Sequence, residues 1–125
     1  MIGLGRRVPV FAWGEPTDMR KNFDTLACLV REQMGHDVLE GALFVFVGRN
    51  RRRAKVLFWD GTGLCLLAKR LEKGRFAAPW ENKKPGAIEW TTSELALFIE
   101  GSELVGRVPL SPPAWKPDER VVRFV

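Results

Sequence analysis

The sequence predicts a single α+β domain: an antiparallel β-meander sheet with one long amphipathic helix packed on it, a short C-terminal helix and an extended tail. Three patterns in the 125 residues support this prediction. Three apolar runs between residues 42 and 69 are separated by polar turns, as consecutive strands are. Residues 19–34 place apolar side chains at helical spacing. Prolines recur after residue 107, which favours extended chain over further regular structure.

The first two elements precede the meander. Residues 7–14, RVPVFAWG, are rich in β-branched and aromatic side chains and end at a glycine, which indicates a short strand. A helix is then predicted to begin near Pro16, with Thr17 or Asp18 as its cap, and to end at Gly35. Its apolar face comprises Met19, Phe23, Leu26, Ala27, Val30 and Met34.

The meander occupies the middle of the chain. Its strands are predicted at residues 42–47 (ALFVFV), 54–59 (AKVLFW) and 64–69 (LCLLAK). The dipeptide Asp60-Gly61 is a strong turn signal between the last two strands. Both alternating faces of the first strand are apolar, so each face of the sheet needs a cover. One helix can cover one face, and the other must meet further elements of the chain or a partner.

The last elements are a short helix and a tail. Thr91 or Thr92 can cap a helix through LALFI that ends at Gly101. We therefore assign residues 1–106 to the domain and residues 107–125 to a Pro-rich C-terminal tail. The segment VVRFV, residues 121–125, could add as a strand to an exposed sheet edge in this molecule or another, and the alternative is a disordered end.

Composition excludes several classes of protein. No apolar run approaches the roughly 18 residues of a membrane-spanning helix, and the first residues lack the apolar region of a signal peptide. The two cysteines, Cys28 and Cys65, lie in apolar settings typical of buried free thiols in a reducing compartment. With one histidine and no Cys-x-x-Cys pair, the chain has no ligand set for structural zinc. We expect a cytoplasmic protein with no cofactor and no metal.

Positive charge is concentrated in one segment. Residues 49–84 contain eleven Lys or Arg against three acidic residues, a balance of +8. The remainder contains nine basic and twelve acidic residues, a balance of −3. Such an asymmetry indicates a localised positive surface, whose usual partners are nucleic acid, acidic protein or anionic lipid.

Two basic segments are predicted to form one patch. In a meander of short strands, the end of the third strand returns beside the tip of the first hairpin, so residues 51–53 and 69–75 should lie at the same end of the sheet. No helix-turn-helix, zinc-finger or RNA-recognition signature is present, so we expect contact with DNA phosphates and little reading of base sequence. The alternative is a solvated hairpin tip. The predicted nucleic-acid-binding residues are Arg49, Arg51, Arg52, Arg53, Lys55, Lys69, Arg70, Lys73 and Arg75.

Two other functional interpretations concern a metal-dependent nuclease and the stacking of a tryptophan on a base. Asp60 followed by Glu81-Asn82-Lys83 has the D…E-x-K spacing of metal-dependent nucleases, but such triplets arise readily in lysine-rich loops, and Asp60 already serves a turn. We therefore predict no catalytic residues and no enzymatic activity. Trp80, in a loop near lysines, is the one tryptophan whose setting is compatible with stacking on a base.

Four separated segments of the chain resemble the TnpB accessory proteins of insertion sequence 66 elements. They are TDMRKNFD (17–24), LFVFVGR (43–49), KVLFWDGTGLCL (55–66) and KRLEKGRF (69–76), and a closing LALFIEG (95–101) follows. The resemblance spans roughly residues 5–106. The run from Arg49 to Arg53 is more basic than the usual turn of that family, and the tail lies outside the shared region.

The resemblance implies a role in transposition but no chemistry. Proteins of this family are encoded beside a transposase that carries the DDE-type catalytic carboxylates and beside a second small accessory protein, so both are expected partners. The family is unrelated to the RNA-guided nuclease that shares its name, and no catalytic residue carries over from it. We expect a non-catalytic DNA-binding accessory protein, with the formation of a homo-oligomer left open. The rival is an adaptor that docks the transposase through the second apolar sheet face or the tail, with its positive patch on an acidic partner.

Overall fold

A five-stranded mixed sheet forms the centre of the protein. The computed structural model describes residues 8–82 and 85–102. The sheet has the order β4-β3-β2-β1-β5, with β1 at Val10–Trp13, β2 at Leu43–Val47, β3 at Arg53–Trp59, β4 at Leu64–Arg70 and β5 at Ala87–Trp90. The predicted meander is confirmed as β2, β3 and β4, which are antiparallel neighbours.

The sheet departs from the predicted meander on its other side. Strand β1 lies parallel to β2, and the chain between them provides the crossover that parallel neighbours require. Strand β5, which was not predicted, pairs antiparallel with β1. Its four residues, AIEW, are too few to show a clear alternation, so the strand depends on the edge that β1 offers.

The prediction of one long amphipathic helix is wrong. The α-helix α1 spans only Phe23–Leu29 and has Asn22 as its N-cap. It continues into a π-helical turn at Val30–Met34, which has Gly35 as its C-cap. The preceding residues are held as a loop, because the Thr17 N–H donates to the Val47 carbonyl of β2 at 2.8 Å. The Asp18 carboxylate accepts from the backbone N–H of Arg20 and from its guanidinium, which closes a local turn.

Each face of the sheet has its own core. On the α1 face, Leu26 and Val30 pack against Phe44, Phe46 and Leu57. The opposite face is covered by residues 71–82 and by α2, a helix at Thr92–Ile99 that confirms the predicted short helix. We call it the α2 face. The fully buried side chains that cover this face include Phe76 and Phe98. The second apolar face therefore meets further elements of the same chain.

Several other expectations have an outcome here. Cys65 is half-buried but Cys28 is exposed, so the prediction of two buried thiols is wrong for Cys28. The tail predicted at residues 107–125 lies outside the described residues. Among the residues that the structure describes, none belongs to a helix long and apolar enough to cross a membrane.

Candidate anion-binding groove at the hairpin end of the sheet

The two basic segments lie side by side at one end of the sheet. Arg53, the first residue of β3, is directly opposite Arg70, the last residue of β4. Beyond this pair, the Leu71 N–H donates to the Arg52 carbonyl at 2.8 Å, and the Phe76 N–H donates to the Arg51 carbonyl at 2.7 Å. The first bond extends the ladder past the strand ends, and the second joins Arg51 to the chain after the turn at Gly74, so together they hold both basic segments in place.

Arg53 and Arg70 occupy the closer kind of antiparallel pair. The bond from Leu71 to Arg52 makes that position a hydrogen-bonded pair, so the next pair along the ladder is not hydrogen-bonded. In such pairs the Cα atoms are only about 4.5 Å apart and the side chains lie on the same face. Two like charges in this arrangement repel each other. An anion between them would remove that repulsion.

An open groove runs over this pair on the α1 face. Its cavity of about 500 Å³ adjoins a second one of about 450 Å³, and both are lined by Met19, Arg53 and Arg70. The first cavity is lined by Thr17, Asp18, Met19, Gly48, Arg49, Asn50, Arg52, Arg53 and Arg70. Four of the nine predicted residues, Arg49, Arg52, Arg53 and Arg70, therefore line the first cavity, and all four are exposed. The second cavity is also lined by the predicted residues Lys55 and Lys69.

The two carboxylates that line the cavities, Asp18 and Glu72, each interact with an arginine two positions away in the chain. Hydrogen bonds from Arg20 hold the pKa of the Asp18 carboxyl well below its usual range. Glu72, which lines the second cavity, lies 3.4 Å from the Arg70 Nε through its Oε2. Both side chains of that pair are largely exposed, so the pair is weak and can open for another anion.

Four predicted site residues donate from their charged ends to backbone carbonyls. Arg52 does so weakly, from Nη2 to the Glu72 carbonyl at 3.3 Å, and the other three, Arg51, Lys55 and Lys69, do so at 2.7 Å or less. Arg51 donates through Nε to the Phe76 carbonyl at 2.7 Å, and its Nη1 lies 3.9 Å from the Glu81 Oε2. The Lys55 ammonium donates to the Lys21 carbonyl at 2.6 Å. The Lys69 ammonium donates to the Ile99 carbonyl at 2.6 Å, and Lys69 points to the α2 face because it is opposite Ala54. These three residues fasten loops and a helix end to the sheet.

Lys73 and Arg75 lie beside the groove and not in it. Both are exposed in the turn that follows β4, and neither lines the two cavities. The backbone between them turns at Gly74, whose φ of 75° suits glycine. They extend the positive surface around the end of the sheet.

The tip of the β2–β3 hairpin is a strained turn. The Arg51 N–H donates to the Gly48 carbonyl at 2.9 Å, and Arg51 has a φ of 63°, the left-handed conformation that glycine usually supplies in such loops. The Asn50 side chain accepts from the Arg52 N–H at 3.0 Å. The arginine-rich tip is therefore a defined loop fastened through Arg51.

One wall of the groove was missed by sequence reasoning. Met19 was predicted on the apolar face of a long helix, yet its side chain lies over Gly48, where an added Cβ would come 2.8 Å from the Met19 Cγ. This close approach requires the loop at residues 15–22 to dock on β2 through Thr17. The only local signal was the Asp18-x-Arg20 spacing, which favours a turn as readily as a helix start.

The two carboxylates of the nuclease hypothesis, Asp60 and Glu81, do not converge, and its Lys83 lies outside the described residues. Asp60 follows the end of β3, whereas Glu81 lies against Arg51, before the start of β3. The seven residues of that strand span about 20 Å. The Asp60 carboxylate accepts from the N–H groups of Thr62 and Gly63 at 2.9 Å, and these bonds lower its pKa to about 2. Asp60 thus serves the turn between β3 and β4.

Trp80 is a poor candidate for base stacking. It lies in a short 3₁₀ turn at Pro79–Asn82 and packs, partly buried, against the core of the α2 face. A ring used in that packing has little free face to offer a base.

Comparisons with known proteins bear on the whole described domain. The family model described as IS66 Orf2 like protein matches residues 8–107. The chain is similar to the uncharacterized protein y4hO of Sinorhizobium fredii, with 40% identity over 101 residues, 81% of this chain and 86% of that protein. It is also similar to the uncharacterized protein y4jC of the same organism, with 32% identity over 115 residues, 90% of this chain and 97% of that protein. No solved structure matches.

Proposed function

The chain belongs to the IS66 Orf2-like family, and from that premise we propose that this insertion-sequence accessory protein is non-catalytic and binds DNA phosphates in the groove between Arg53 and Arg70. It would act in the cytoplasm, beside the transposase and the second accessory protein of the element. The observation that carries the proposal is the direct opposition of Arg53 and Arg70, with Arg49 and Arg52 in the same open groove.

The charge of the groove favours an anion of high charge density. Guanidinium groups bind phosphate oxygens with paired hydrogen bonds, and a phosphate between Arg53 and Arg70 would neutralise both. Phosphate contacts give affinity and orientation but no base sequence. The chain has no helix-turn-helix, zinc-finger or RNA-recognition signature, so we expect weak discrimination between sequences.

Six cations define the expected salt dependence. Arg51, Lys55 and Lys69 are left out, because their charged ends donate to backbone carbonyls at 2.7 Å or less. The six that remain of the nine predicted residues are Arg49, Arg52, Arg53, Arg70, Lys73 and Arg75. If all six contact phosphates of duplex DNA, log affinity should fall with log salt concentration at a slope of about −5. A fluorescence-anisotropy titration at several salt concentrations measures this slope. A slope near zero, or no binding at low salt, would refute the proposal.

Matched variants separate the groove from general positive charge. Arg53→Ala and Arg31→Ala each remove one exposed arginine, but Arg31 lies in the π-helical turn and lines neither cavity. We expect Arg53→Ala to reduce the salt slope by about 0.9, and the Arg53→Ala, Arg70→Ala double variant by about 1.8. Arg31→Ala should leave it unchanged. Equal effects of Arg31→Ala and Arg53→Ala would indicate nonspecific attraction to the whole chain.

The adaptor function is the second candidate, and burial of one sheet face reduces the surfaces through which it could dock the transposase. Its route through the second apolar sheet face is closed, because residues 71–82 and α2 bury that face. An acidic surface of the transposase could still occupy the groove in place of DNA. Transposase pull-down with the double variant tests this: loss of pull-down with unchanged DNA retention would favour the adaptor.

A further inference from the structure

Strand β4 presents an open edge of backbone donors and acceptors. It is the outermost strand of the sheet on its side, and no described strand pairs beyond it. Hydrogen-bonded and non-hydrogen-bonded pairs alternate along an antiparallel ladder, and Asp60–Gly63 and Arg52–Leu71 are hydrogen-bonded pairs. Counting from them, Cys65, Leu67 and Lys69 direct their backbone groups toward β3. The N–H and C=O groups of Leu66 and Ala68 therefore point outward from the sheet.

This edge is also apolar, which is unusual for an uncovered strand. Five apolar residues, Leu64 to Ala68, run along it, and Leu67 is 47% exposed. Natural sheets protect long apolar edges with charge, proline, bulges or a covering segment, because such edges pair with other chains. Lys69 and Arg70 protect only the last two positions. The opposite edge of the sheet is β5, which has only four residues, and a very short edge strand offers little backbone for pairing.

The chain leaves the described structure beside this edge. The Lys69 ammonium on β4 donates to the Ile99 carbonyl at the end of α2. Gly101 packs on Leu71, so closely that an added Cβ would lie 3.3 Å from the Leu71 Cδ2. Residue 102 thus lies close to the last residues of β4, and the sequence continues for 23 residues beyond it.

We propose that VVRFV, residues 121–125, pairs as a sixth strand with the outer edge of β4 in the same molecule. This segment has the β-branched and aromatic composition of a strand, and four prolines before it favour an extended connection. The connection from residue 102 to residue 121 can span up to about 60 Å at roughly 3.1 Å per residue. That exceeds the length of β4, about 20 Å, so the segment can reach any register along it. Main-chain pairing of this kind is ordinary strand addition, here within one chain.

Hydrogen exchange of alternate amides tests the pairing. In the unaltered chain the outward amides of Leu66 and Ala68 should be protected, and the inward amide of Leu67 is protected by β3 in any case. Val122→Pro removes a backbone donor within the added strand. It should speed the exchange of Leu66 and Ala68 by about tenfold or more and leave Leu67 unchanged.

A matched proline substitution supplies the control. Ala114→Pro lies in the SPPAWKP stretch, outside residues 121–125, and should leave the exchange of Leu66 and Ala68 as slow as in the unaltered chain. Rapid exchange at both residues in the unaltered chain would overturn the proposal, as would equally slow exchange in all three proteins. Protection that rises with protein concentration, together with a doubled mass by light scattering, would show pairing between molecules and would also overturn it.

Discussion

At the scale of single residues, side chains of the same type at this end of the sheet serve different purposes. Arg51 and Arg53 are two positions apart, yet the Arg51 side chain is 17% exposed and bonded to Phe76, whereas Arg53 is exposed in the groove. The sequence could place both in one basic run. It could not reveal which arginine is fastened, because the partner of Arg51 is a carbonyl 25 residues away.

Substitutions at these two positions should separate stability from binding. Arg51→Ala removes the bond to Phe76 and keeps the strained backbone, so the free energy of unfolding should fall by about 1–3 kcal/mol in urea denaturation. Arg53→Ala should change it by less than about 0.5 kcal/mol and weaken DNA binding instead. Arg51→Gly is the control: it loses the same bond but relieves the positive φ, so it should be about 1 kcal/mol more stable than Arg51→Ala. Equal stability of Arg51→Ala and Arg53→Ala would contradict the fastening role.

At the scale of elements, the sequence predicted correctly the strands and turns that depend on interactions between residues close together in the chain. The strands of the meander and the Asp60-Gly61 turn were predicted correctly, because alternation and turn chemistry are both readable over a few residues. The prediction of a long helix was wrong because a distant acceptor holds the first third of the predicted segment in a loop. That acceptor is the Val47 carbonyl of β2. Strand β5 was missed for the same kind of reason, since its pairing partner lies some 75 residues earlier in the chain.

The turn between β3 and β4 should impose a pH dependence. Bonds from the backbone of Thr62 and Gly63 lower the pKa of Asp60 from its ordinary 3.8 to about 2. A depressed carboxyl pKa stabilises the fold above the unfolded value and loses that contribution as the pH falls through the folded value. NMR titration of the Asp60 carboxyl should therefore give a midpoint near 2.

Asp60→Asn tests the same linkage through stability. The amide oxygen can still accept the turn bonds, but it does not titrate, so the part of the acid-induced loss of stability between pH 4 and 2 that comes from Asp60 should disappear. Urea denaturation across that pH range measures it. An unchanged pH profile in the variant, or an Asp60 midpoint near 3.8, would show that the turn bonds do not hold the carboxylate.

At the scale of the whole molecule, a central sheet with two apolar faces needs both covers to be stable. The sequence showed that the second face needed a cover, but the identity of that cover depended on Leu71, Phe76 and Phe98 meeting across long separations. The groove depends on the same arrangement, because Leu71 and Phe76 bond to the backbone of Arg52 and Arg51. The cover of the α2 face therefore also holds the basic end of the sheet in place.

Truncation of Phe98 should test whether the two faces unfold together. Phe98 is fully buried and stacks on Phe76 with ring centroids 4.8 Å apart, so Phe98→Ala should cost about 3–5 kcal/mol. Leu26→Ala on the α1 face is the matched control, since Leu26 is also fully buried. If the sheet couples the two cores, tryptophan fluorescence and far-ultraviolet circular dichroism should report one coincident urea transition in both variants. Separate transitions in Phe98→Ala, or a lower m-value, would mean that the cover of the α2 face detaches while the rest of the sheet stays folded.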